Sequence, residues 1–158
     1  MALPSPEPQG LPARAQRALA GYRVERLSHP ERAALAVEIL AAYVRARREL
    51  RRAPIAEVID GLRDVPAEQA VPAGDAALWE ARRLGRAVTR LLRLVPGDTR
   101  CLARSLVLTR LLARRGIPAK LVIGARSAPD FLAHAWVEYG GEQVLSMGDG
   151  SFGRLVEL

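Results

Sequence analysis

A single cysteine, Cys101, rules out an internal disulfide in this 158-residue chain. With only His29 and His134 to join it, a closed cysteine/histidine zinc site is excluded as well, and no metal or other cofactor is expected. That cysteine usage fits the reducing cytoplasm as the expected compartment. Lysine occurs once, at Lys120, so the 24 basic residues are almost all arginine, and against 17 acidic residues they leave a net charge of +7. Aromatic residues make up 4% of the chain, and none lies between Trp79 and Phe131, so stacking platforms for single-stranded nucleic acid are nearly absent. No apolar run approaches the ~18 residues of a membrane-spanning helix. The stretch Met1 to Pro12, with Pro4, Pro6, Pro8 and Pro12 and no basic segment ahead of an apolar one, does not read as a signal peptide. No solenoid-length repeat is visible, and no glycine-rich phosphate loop follows a strand, which argues against Rossmann and P-loop proteins. What is present, 49% hydrophobic and 26% charged residues, describes a soluble globular chain able to bury a core.

Residues 1–25 read as a flexible, proline-rich arm. A helical subdomain is expected over 26–95. It opens on Ser28-His-Pro-Glu31, a capping box with Pro30 tolerated in the first turn. Behind it Leu35, Ile39, Leu40, Tyr43 and Val44 recur at helical spacing, with Arg45, Arg47, Arg48 and Arg51 on the wet side. Pro54 opens a second helix with Ile55, Val58, Ile59 and Leu62 inward. Asp75 is expected to cap a third, whose stripe is Leu78, Ala81, Leu84, Val88, Leu91, Leu92 and Val95. Pro96-Gly97 breaks it, and Asp98 or Thr99 caps a fourth helix that ends at Gly116. From Ile117 the pattern changes to short β-prone runs, 121–123, 135–139 and 143–147, with Gly140-Gly141 as a hairpin turn. Helices first and an antiparallel sheet afterwards give an α+β fold, with 96–158 as the part that carries the chemistry and 26–158 as one compact unit.

Cys101 falls in the first turn of the fourth helix, where unpaired N–H groups and the helix dipole favour an anion. A structural cysteine more often lies mid-helix on the apolar stripe. His134 lies at the head of an apolar strand, 33 residues on, and helix-then-sheet topology can bring the two together. Cysteine with histidine is the recurrent nucleophile–base pair of acyl transfer. The bland alternative, a core cysteine and a satisfied histidine, fits any chain with such a composition.

The residues also carry a resemblance. Cys101-Leu-Ala-Arg-Ser-Leu, then Arg114-Arg-Gly-Ile-Pro-Ala119, Leu121-Val-Ile-Gly124 and Phe131-Leu-Ala-His-Ala-Trp-Val-Glu138 resemble the transglutaminase-like domain of lasso-peptide maturation proteases. The likeness is close over about 96–158 and looser before it. It implies a papain/transglutaminase-like α+β fold, with the sheet packed on the cysteine-bearing helix, and a cysteine peptidase that removes the leader from a lasso-peptide precursor. Cys101 would be nucleophile and His134 general base and acid. The helices before residue 96 hold no three-stranded leader-binding module, so the chain resembles the split, stand-alone peptidase. The implied partners are the precursor, a separate leader-binding protein and an asparagine-synthetase-like cyclase. The family also places an Asp about a dozen residues after the histidine, where this chain has Ser146. A uniform hairpin register would set Ser146 opposite Ala135. Asp149 is the nearest carboxylate beyond it and reaches back if the strand is bulged, so Asp149 is the favoured orienter and Ser146 the alternative. Glu138 shares the pleat parity of His134 but lies two strand repeats away, too far for a direct bond.

Ten arginines between Arg82 and Arg115, with Asp98 counted as the acid among them, read first as a solvated face. A docking surface for an acidic leader or its binding protein is the next reading and nucleic acid the last. Arg104, one turn from Cys101, and Trp136, on the face of His134, are the expected substrate-side residues; each has a structural alternative, as ion-pair partner and as core. His29 is read as a helix-start residue without chemistry. The competing function is a catalytically impaired basic scaffold that binds the precursor or nucleic acid.

Overall fold

The computed structural model describes residues 27–63, 66, 71, 73–96, 101–126, 132–145 and 153–157. The expected arm (1–25), the expected cap residues Asp98 and Thr99, and the candidate orienters Ser146 and Asp149 lie outside these. The chain divides into two units, 1–32 and 33–158. Of the first unit, the described part is the capping box. Ser28 N–H and Oγ both donate to Glu31 Oε2 at 2.7 Å, and helix α1 (His29–Arg52) starts there.

In the second unit, helices α2 (Ile55–Arg63), α3 (Asp75–Leu92) and α4 (Cys101–Arg114) precede strands β1 (Lys120–Arg126), β2 (Leu132–Tyr139), β3 (Glu142–Leu145) and β4 (Gly153–Glu157). The strands form one antiparallel sheet in the order β3-β2-β1-β4, so the α+β arrangement holds. Helix α4 is the centre of the core. Every residue from Ala103 to Leu112 except Arg104 is buried, and a helix apolar on nearly all sides must be covered on all sides. It packs against α3, α2, β1 and β2. Gly116, at φ 64°, ends it in a left-handed cap: Ile117 N–H donates to Leu112 O at 3.0 Å, and the chain turns back into β1.

Several expectations need correction. Leu40 and Val44 of α1 face outward with Val37, at 38%, 44% and 67% exposure, while Ala42 and Ala46 take the inward places. The buried stripe there runs Ile39, Ala42, Tyr43, Ala46, so the helix turns its smaller residues to the core. Ile55 is likewise exposed. Asp75 is not the cap of α3. Gly74 holds that position at φ 90°, open to glycine without strain, and its N–H donates to Tyr139 Oη at 3.2 Å. The hairpin turn is as expected, with Gly140 and Gly141 both at positive φ and Tyr139 opposite Glu142. Beyond Glu138, however, a bulge sets Val137 against Leu145, and the register that would put Ser146 opposite Ala135 does not continue. The cause is apolar: Val144 and Leu145, adjacent in sequence, are both buried, which a strict two-residue alternation forbids.

Candidate active site

Cys101 is the first residue of α4, half-buried, with its side chain packed on the edge of the core. Arg104, half-buried, follows at one turn, and Ser105, fully buried, after it. Thr109 Oγ1 donates back to Ser105 O at 2.9 Å, so the hydroxyl face of the helix runs on below the cysteine.

His134 is half-buried, third in β2, and faces Gly124 of β1. Alternation sorts the strand. Ala135 and Val137 join the core with the leucines of α4, whereas His134, Trp136 and Glu138 share the opposite face with Val122 and Gly124. Trp136 is 1% exposed. Of its two readings, substrate-side and core, that burial favours the core: the enclosed ring lies against the bare backbone of Gly124, with Nε1 donating to Glu138 Oε1 at 2.7 Å. Its plane stacks on the His134 imidazole, with centroids 6.4 Å and planes 19° apart.

Of the sequence-selected residues, then, His134 and Trp136 stack on one face of the sheet, and Cys101 and Arg104 share the first turn of the helix that packs on their strand. Glu138 is the residue that the sequence reading set aside. It is buried, and besides the indole it accepts Arg154 Nη2 on both oxygens, at 2.8 and 3.0 Å. The readable signal was its parity with His134. The missing one was Arg154, which comes from a strand the sequence pattern did not reveal. Among the described residues no group of three or more His, Cys, Asp or Glu could hold a metal ion, and no helix is long and apolar enough to cross a membrane.

The family model of the transglutaminase-like superfamily matches residues 40–157. Over 44 residues the chain is 50% identical to the microcin J25-processing protein McjB of Escherichia coli. The matched segment is 28% of this chain and 21% of that protein, so the chain spans well under two thirds of that relative. No solved structure matches the chain at a significant level.

Proposed function

The chain belongs to the transglutaminase-like superfamily, and from that premise we propose that it is a cysteine peptidase that removes the leader from a ribosomally made lasso-peptide precursor. One observation carries the reading. The family match contains the chain's one cysteine, at the start of the core helix, and the strand histidine that follows it. Their placement supports a meeting at the end of the sheet. Fourteen residues of α4 rise about 20 Å and seven of β1 about 23 Å. A helix that reverses into β1 at Gly116 therefore begins near the level where β1 ends and β2 starts. Since His134 projects from the face opposite the α4 core, this reading requires its ring to meet Sγ around that end rather than through the core.

In this reading Cys101 Sγ forms a bond to the scissile carbonyl carbon while His134 takes the thiol proton. His134 returns that proton to the leaving amine as the C–N bond breaks. Water, activated by the same imidazole, then hydrolyses the thioester and restores the thiol. The Cys101 backbone N–H, which has no intrahelical acceptor at a helix start, stabilises the oxyanion. Asp149, or Ser146 in its place, orients the imidazole. Arg104 sits on the substrate side beside the thiol. A separate leader-binding protein supplies the precursor at high effective concentration, and an asparagine-synthetase-like cyclase uses the product. The reaction is placed in the cytoplasm.

The test is cleavage of full-length precursor, with and without the leader-binding protein, by the wild-type chain and by Cys101→Ala. The wild type should cleave much faster with the partner present. The alanine variant should lose on the order of 10⁴-fold in rate at unchanged thermal stability. Cleavage that survives Cys101→Ala would remove the peptidase assignment. Equal rates with and without the partner would remove the split-protein part of it.

A further inference from the structure

The sheet face that carries His134 also carries a polar network. A row across three strands reads His134 on β2, Gly124 on β1 and Arg154 on β4. Over that row lies the Trp136 indole. A Cβ on Gly124 would come within 2.8 Å of its Cη2, 2.9 Å of its Cζ3 and 2.7 Å of Gly153 O, so glycine at this position leaves the ring its room. The Nε1 edge of the ring is fixed by Glu138, and the imidazole is stacked against the ring. Glu138 is in turn fixed by the two contacts from Arg154, whose side chain is half exposed.

Glu138 lies four residues from His134, about 13 Å along the strand, so it cannot bond the imidazole itself. It holds the ring on which the imidazole stacks. A carboxylate at 5% exposure is an unfavourable choice for packing alone, because an apolar side chain of similar size fills such a place without desolvating a charge. An acceptor aimed at one edge of an indole does what an apolar residue cannot: it selects one orientation of that ring.

We infer that Glu138, held by Arg154, is a positioning residue that fixes the Trp136 indole and, through it, the orientation of the His134 imidazole. The inference rests on the reading of His134 as the general base, and adds to it a residue that the cysteine, histidine and orienter do not include.

The test uses the full chain with Glu138→Gln, Arg154→Gln and Arg154→Lys. None of these touches the imidazole, and Arg154 is exposed enough for its variants to fold even where Glu138→Gln does not. The chain has two histidines, so its ring Cε1–H spectrum has two resonances, and His134→Gln assigns them. In Glu138→Gln and Arg154→Gln the His134 resonance should move or broaden while that of His29 stays. kcat for precursor cleavage should fall about 10-fold with KM within about twofold, since the loss is of alignment and not of binding. Arg154→Lys, which keeps the charge, should recover most of the rate. Folded variants that lose thermal stability yet keep the His134 resonance and kcat of the wild type would overturn the proposal and leave the network as packing. If His134→Gln itself cleaves normally, the peptidase reading fails, while the resonance shifts still decide whether Glu138 orders the imidazole.

Discussion

Replacing Gly85 by alanine sets two effects of known size against each other. Gly85 is mid-helix in α3, where alanine is intrinsically better by about 0.8–1.0 kcal/mol. Against that, a Cβ at this position collides with Val144 O and comes within 3.2 Å of Val144 C and 3.6 Å of Leu108 Cδ2. The obstacle is backbone in the bulged strand β3, not the end of a flexible side chain, so the helix must retreat. Its retreat unpacks Ala81, Leu84, Val88 and Leu92, each at 0% exposure. Overpacking of this kind costs about 1–3 kcal/mol, more than the propensity gain. Because the collision is with backbone, the upper part of that range applies, about 2–3 kcal/mol, and the net expectation is a loss of about 1–2 kcal/mol, which lowers Tm by about 2–8 °C in a chain of this length. Gly61→Ala is the matched control. It too is helical, nothing lies within 4 Å of the added Cβ, and it should stabilise by up to about 1 kcal/mol. Urea and thermal unfolding followed by circular dichroism measure both. A Gly85→Ala variant as stable as the wild type would refute the close approach of α3 to β3.

Two further outcomes are expected. Burial alone would raise the Glu49 carboxyl, but hydrogen bonds from Arg45 at 2.8 Å and Arg110 at 2.9 Å, with their charges, outweigh it and hold the group below its ordinary 4.5. Its stabilising contribution is therefore present above about pH 4.5 and lost as pH falls through the lowered value; the stability gap between wild type and Glu49→Gln, measured by urea unfolding, should be open at pH 7 and close in acid, and a gap unchanged at pH 3 contradicts the pairing. For the orienter, Asp149→Ala should lower kcat by roughly 10²- to 10⁴-fold with Ser146→Ala much milder, and the reverse order, with Ser146→Asp raising activity, transfers the role to Ser146.

Where local chemistry fixes the backbone, the sequence was enough. The Ser28–Glu31 box starts α1, and Gly140-Gly141 makes a turn at positive φ whatever surrounds it. Where tertiary packing chooses, it was not. Leu40 and Val44 fit the helical period of α1, yet small Ala42 and Ala46 are the residues turned to the core. The bulge in β3 follows from two adjacent apolar residues competing for one interior, which pairing rules cannot weigh without the interior. Strand β4 was missed because its five residues show no apolar-in alternation and Leu155 is 65% exposed. That omission hid the partner of Glu138. The candidate site was legible in Cys101 and His134, single residues in telling positions, and illegible in the network behind the histidine, which needs two strands and a glycine between them.

The arginine-rich stretch yields to the same distinction between local and spatial counting. Along the chain it looks uncompensated, but most of its counter-charges arrive from other elements, Glu80 of α3 being the local one for Arg83. Arg115 takes Glu38 in two bonds at 3.0 and 2.8 Å, Arg110 takes Glu49, and Arg83 takes Glu80. Arg82 meets Glu142 at 3.1 Å with both side chains substantially exposed, a pair worth about 0–1 kcal/mol. Arg110 and Arg115 are different in kind. Their side chains are 6% and 12% exposed and bind α1 glutamates from α4 and the turn after it; removing Glu49 strands the Arg110 charge at a cost of about 3–5 kcal/mol, whereas Arg115 without Glu38 keeps Glu80 at 3.4 Å and Leu111 O at 3.0 Å. These cations hold helices together. Arg86, Arg90 and Arg93 are exposed and fall at helical spacing along and just past α3, which is the solvated face first expected of the whole run. A scaffold built to bind an acidic polymer keeps its guanidinium groups facing outward; here Arg110 and Arg115 are committed inward, and the charge that counts in favour of binding is smaller than the sequence total.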